Sequence, residues 1–229
     1  MTDQTTRPLD RALIAALAAD DASMRLRAAM AAGSNPHPGY AEELVRRCGV
    51  EPDFFVRDML TWALTRLPAD LTVPLLLPEL GSASPQARAQ ALHTLSKIGD
   101  RSAWTSIPPA LLHDADDDVA RAAWRTAVVL APAGRAAWLA NELAGELGRG
   151  STDVRRSLSR ALAGLGDSAA GPLAAAKKRG GRAVQAHVAA TERLIEDPDS
   201  DFAAESAFAS QLTSAAPDDD SAAGPADGT

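Results

Sequence analysis

An apolar pattern that returns about every 32 residues constrains this chain more than any other feature. One apolar residue is followed by others four, eight and eleven positions later. The set reads Val56, Leu60, Leu64 and Leu67, then Ala87, Ala91, Leu95 and Ile98. It returns as Val119, Ala123, Ala127 and Leu130, and again as Val154, Leu158, Leu162 and Leu165. Weaker copies stand at Met24, Ala28 and Ala32, and at Val184, Val188 and Ile195, where Glu192 interrupts. The starts lie 32, 31, 32, 35 and 30 residues apart. Steps of four, four and three keep the side chains on one helical face. A helical unit repeated at this period cannot bury that face alone, and stacked neighbours bury it together.

Between the copies lies a second apolar-faced stretch. Leu13, Ile14 and Leu17 form one, residues 71–80 another, Ile107, Leu111 and Leu112 a third, and Trp138, Leu139, Leu143 and Leu147 a fourth. Each unit therefore reads as helix A, a turn, then helix B. Gly- and Pro-rich stretches at 33–39, 81–85, 99–100, 148–150 and 166–167 punctuate the units. Asp20 and Asp21, Asp53, Ser84, Asp116 and Asp117, and Ser151 stand just before the B helices. A short side-chain oxygen there accepts a hydrogen bond from a first-turn amide. Pro74 and Pro78 fall inside the third A helix and predict a bend or break, because each removes a backbone donor. The fold expected is all-α, a right-handed α-solenoid of about six helix pairs.

Abundant Ala, Leu and Arg with only 4% aromatic residues agree with helix rather than sheet. Cys48 is the single cysteine, so no internal disulfide forms, and a reducing, cytoplasmic compartment is expected. No apolar run reaches the roughly 20 residues of a membrane-spanning helix. The net charge of −7 is unevenly spread. Residues 196–229 hold nine acidic residues and no basic one, whereas residues 149–193 hold nine basic and three acidic. The expected organisation is a flexible segment at 1–8, the repeat domain at 9–195 and an acidic low-complexity tail at 196–229. Phe202, Phe208 and Leu212 suggest a short helix at 202–212 within that tail.

The B-helix openings share a signature: an apolar residue then arginine at Val56-Arg57, Ala87-Arg88 and Val154-Arg155, with exits at Ile98-Gly99-Asp100 and Leu165-Gly166-Asp167. Over roughly 9–195 the chain resembles the HEAT-like repeats first described in phycobilisome lyases. The resemblance implies the fold. It is poor in functional information, since such repeats serve scaffolds, regulators, lyases, hydroxylases and DNA glycosylases alike.

The chemical candidates are few. Asp114, Asp116 and Asp118 imitate the start of a calcium loop, but Val119 and Arg125 occupy the positions that require Gly and Glu. His37, His93, His113 and His187 are not followed by Glu, so the paired iron ligands of HEAT-type hydroxylases are missing. Cys48 has the cations Arg46 and Arg47 beside it but no base with an orienting group, and reads as structural. No catalytic residue, metal or cofactor is therefore assigned.

The function expected is a non-enzymatic scaffold or adaptor, with a regulatory role among its uses. It would grip another protein on a concave helix-B surface. Arg57, Asp58, Arg88, Arg121 and Arg155 are the candidate contacts, and general usage of the fold extends to transcriptional regulators as partners. The alternative is a nucleic-acid protein of the DNA glycosylase type. It would use Trp62, Trp104, Trp124 and Trp138 along a groove, with Lys177, Lys178, Arg179 and Arg182 as anion contacts. That alternative requires Trp62 and Trp124 to be exposed together beside a carboxylate. If they are buried, the tryptophans are packing residues.

Overall fold

The computed structural model describes residues 11–198. The N-terminal segment 1–8 and the proposed helix at 202–212 lie outside the described residues, as does nearly all of the acidic tail. Eleven α-helices and no strand are found among the described residues: α1 Arg11–Ala16, α2 Ala22–Ser34, α3 Ala41–Cys48, α4 Phe54–Thr65, α5 Ala69–Leu76, α6 Pro85–Ile98, α7 Asp117–Leu130, α8 Ala136–Ala144, α9 Thr152–Gly164, α10 Ala170–Arg179 and α11 Arg182–Glu196. None is long and apolar enough to cross a membrane. The chain divides into two compact units at Glu146/Leu147. That boundary falls in the one long, 35-residue step of the repeat.

In the first unit the B helices pack in sequence, α2 on α4, α4 on α6 and α6 on α7, with α3 and α5 as their A partners. In the second, α9 and α10 both pack on α11. The repeated apolar positions form the core. Val56, Leu60, Leu64, Val119, Ala123, Ala127, Leu130, Val154, Leu158 and Leu162 are all buried. The weak end copies depart from the pattern. Met24 is 45% exposed, and Ile195 is 43% exposed while its neighbour Leu194 is buried.

The expected caps are in place. Asp21, Asp53, Ser84, Asp116 and Ser151 accept from the amides of Met24, Val56, Ala87, Val119 and Val154. Each amide belongs to the first residue of its apolar copy, so one register fixes both cap and core. The exception is α11, whose cap is Gly181 and offers no side-chain acceptor. Gly181 has ordinary extended backbone, and a Cβ there meets nothing within 4 Å. Gly181→Ser therefore stabilises the chain by about 0.5–1 kcal/mol. A urea titration that shows no gain would contradict this.

Two A elements differ from regular helices. Pro74 sits inside α5, which ends at Leu76 and passes into a 3-10 turn, Pro78–Gly81. The A helix expected around Ile107, Leu111 and Leu112 does not form. The chain makes two 3-10 turns instead, Arg101–Ser106 and Pro109–His113. Pro108 and Pro109 hold Ile107 and Pro108 extended and donate no amide, so an α-helix cannot run through.

Buried hydroxyls recur at one register within each unit. Thr94, Thr126 and Thr191 are fully buried, each seven residues after the start of its copy. Thr126 Oγ1 donates to a carbonyl, with Ala122 O at 2.7 Å and Leu92 O at 2.8 Å. Thr94 Oγ1 lies 3.3 Å from Thr61 Oγ1, and Thr191 Oγ1 lies 2.7 Å from Ser159 Oγ. These partners satisfy hydroxyls that would be costly to bury alone. The recurrence of Thr at this register was the available sequence signal.

Candidate functional site

In three of the copies the arginine that follows the apolar start is first a clasp for the turn before its own helix. Arg25 Nη1 donates to Ala19 O and Asp20 O, Arg57 Nη1 to Glu51 O and Pro52 O, and Arg88 Nη1 to Ser82 O and Ala83 O. Those carbonyls lie six and five residues back in all three cases. Arg25 and Arg88 also grip a carboxylate in the next repeat, Glu51 and Asp114. Glu51 and Asp114 stand two residues before a helix cap, and each accepts the amide of that cap residue, Asp53 or Asp116. The clasps form a ladder in the first unit. Its members are Arg25, Arg57 and Arg88, and its carboxylates are Glu51 and Asp114. Arg121 lies one residue out of register.

Ser82 takes the place of the carboxylate in the repeat after Arg57. Among the described residues Arg57 has no acidic clamp, and its guanidinium sits 6.0 Å over the Phe54 ring. It lines a groove of about 570 Å³ across α4, α6 and α7. Asp58 and Arg121 line it too, so three of the five expected contacts come together. Arg88, fixed on Asp114, does not line it, and Arg155 belongs to the second unit. Phe54 projects at one end, 65% exposed, beside the 70% exposed Phe55. Arg121 and Arg125 stand four residues apart on α7, a spacing that places like charges side by side. Desolvation, and then Arg121, press the Arg125 guanidinium below its ordinary value. Arg121 meets the exposed Asp118 at 3.4 Å, and its Nε is buried without a hydrogen-bond partner among the described residues. Burial, then Arg125 and Lys97, hold His93 below the usual imidazole value, which makes it neutral at pH 7.

One tryptophan is a core residue and a second lies partly exposed on a neighbouring helix. Trp124 is wholly buried and donates from Nε1 to Leu112 O at 2.8 Å. Trp62 is 38% exposed, with its ring laid on Gly33, where any Cβ would collide with the indole. The pair exposed beside a carboxylate, which the nucleic-acid alternative requires, is not formed.

The remaining candidates are placed as follows. Lys177, Lys178 and Arg179 occupy the last turn of α10, where cations complement the helix dipole. Lys177 pairs with Glu192 at 2.7 Å, and Arg182 opens α11. Cys48 is buried, and burial pushes its thiol up to about 12, so it is no nucleophile at neutral pH. His113 is held by Glu146 at 2.6 Å and Glu142 at 3.0 Å, and Glu146 foremost raises its pKa. Among the described residues no group of three His, Cys, Asp or Glu side chains is placed to hold a metal ion.

Consecutive helix pairs, a shared cap-and-core register and the recurring clasp define an all-α repeat architecture among the described residues. Solved structures similar to this chain include two engineered proteins of the Northeast Structural Genomics Consortium. One is 20% identical over 89% of this chain and 95% of its own, with a TM-score of 0.49. The other is 17% identical over 84% and 100%, with a TM-score of 0.47. The complex of CpcE and CpcF of phycocyanin lyase from Nostoc sp. PCC7120 is 15% identical over 93% and 97%, with a TM-score of 0.40. No protein-family model and no curated protein matches the chain.

Proposed function

We propose that this protein is a non-enzymatic adaptor that binds another protein on the α4–α6–α7 face of its first unit. The supporting observation is the groove itself, which joins an exposed aromatic side chain, Phe54, to the adjacent Arg121 and Arg125. Exposed aromatics and arginines are the residue types that dominate binding energy at protein interfaces. The groove contains no nucleophile hydrogen-bonded to a base, so its chemistry suits recognition. A regulatory role and a transcriptional regulator as partner are compatible uses of such a face.

The test is affinity capture from the native host with the full chain and with Phe54→Ala/Arg121→Glu, each checked for unchanged circular dichroism. A partner bound through the groove is retained by the natural chain and reduced at least about tenfold by the double variant, the loss expected when a central aromatic and a charge contact are removed. Equal recovery of every captured protein by both chains would overturn the proposal.

A further inference from the structure

A second cavity lies on the first unit away from the groove residues, and it exists because a repeat is broken. A regular A helix at 101–113 would cover the flank of α7. Ile107, Pro108 and Pro109 prevent that helix, and the two 3-10 turns leave a cleft of about 250 Å³. Its floor is apolar and buried, formed by Leu112 and Ala127. Its walls include the indoles of Trp104 and Trp138, edge to face at 6.2 Å and 80°. Both rings are half-buried, unlike the fully buried Trp124.

One charged residue lines the cleft. Arg135 places its guanidinium 5.4 Å over the Trp138 ring. That guanidinium makes no hydrogen bond or ion pair with any described residue. The cleft thus combines aromatic walls, a buried apolar floor and one unclamped cation already oriented by stacking. A cavity of about 150 Å³ takes a benzene ring, so this one has room for two fused rings. A planar apolar body satisfies the indoles, and a single carboxylate satisfies the fork of Arg135 with paired hydrogen bonds.

We infer that this cleft is a binding site for a small aromatic carboxylate, with Trp104 and Trp138 holding the rings and Arg135 the anion. A lone aromatic side chain of a protein partner would use the walls but not the cation. A small molecule carrying both groups uses everything the cleft presents.

The test titrates 2-naphthoate into the full ¹⁵N-labelled chain and follows the four indole N–H signals. The Trp104 and Trp138 signals should shift and saturate, while those of Trp62 and Trp124 stay in place. Arg135→Gln, at an exposed position, should weaken the binding about tenfold or more, as should exchanging naphthoate for uncharged 2-methylnaphthalene on the natural chain. Equal affinity for the neutral ring would leave an apolar side-chain pocket and overturn the proposal. So would an Arg135→Gln chain that binds naphthoate unchanged, or four indoles shifting together without saturation.

Discussion

Replacing Glu51 by alanine destabilises the chain by about 3–5 kcal/mol, a large share of the stability of any domain. Glu51 is fully buried, and so nearly is Arg25. Arg25 meets it through Nε and Nη2, both at 2.7 Å, Arg47 adds a bond at 2.8 Å, and the Asp53 amide adds one at 3.0 Å. Burial alone would raise the Glu51 pKa. The bonds from Arg25, Asp53 and Arg47 outweigh it and bring the carboxyl down to about 2. Alanine leaves two donors of Arg25 buried without an acceptor and removes the brace behind the α4 cap. The stranded charge is the main cost, so Arg25→Met/Glu51→Ala should be markedly more stable than Glu51→Ala alone. Urea titrations of the four chains of this cycle measure it. A cost below about 1 kcal/mol for the single variant would sink the account.

Acidification from pH 7.5 to pH 4.5 costs the natural chain about 2–3 kcal/mol more than it costs His187→Gln. His187 is buried in the second unit. Its Nδ1 accepts the Gly148 amide at 2.9 Å, and its Nε2 faces Arg155 O at 3.0 Å and Ser159 Oγ at 3.1 Å. The amide at Nδ1 requires the proton to sit on Nε2. A second proton has no place at Nδ1, and burial is the leading cause that lowers the pKa to about 4. The unfolded imidazole titrates near 6.5, so below that pH the unfolded chain takes up a proton that the folded chain refuses. The stability contribution is complete above about pH 6.5 and is lost as pH falls toward 4. His93 shifts in the same direction, and His113 in the opposite one, contributing stability below about 6.5 that is lost as pH rises through its raised pKa. The difference between the natural chain and His187→Gln isolates the one residue. Glu51 stays out of this window, because its contribution is lost only below the unfolded carboxylate value of 4.5. Parallel stability curves for the two chains would show that His187 does not carry the effect.

Much of the architecture was legible because it is written in near neighbours. An apolar step of four, four and three names a helix face without knowledge of the rest of the chain. A cap acts over three residues, and so Asp53, Asp116 and Ser151 were found at their posts. The proline effect in α5 was equally local. The failure at 101–113 was local too. Leu111 and Leu112 are buried as the apolar pattern indicated, but Pro108 and Pro109 outweigh periodicity in deciding the backbone.

The sites were less legible, since they depend on partners far along the chain. Arg57, Arg88 and Arg155 look alike in sequence, each after an apolar residue at the head of a helix. Glu51 and Asp114, which hold Arg25 and Arg88, lie 26 residues further on. Ser82 denies Arg57 the same hold. No pattern of residue types distinguished the cation fixed in the framework from the one that lines the groove. Trp124 and Trp138 likewise differ little in sequence, yet one is sealed on Leu112 O and the other walls a cleft.

Paired helices on a 32-residue period follow from local chemistry, because helix faces and caps are set by side chains three to four residues apart. Packing settles which arginines a carboxylate clamps, which tryptophans are covered and where the broken repeat opens a cavity. Burial and ion pairing are properties of the packed neighbours, and they appear only when helices distant in sequence meet.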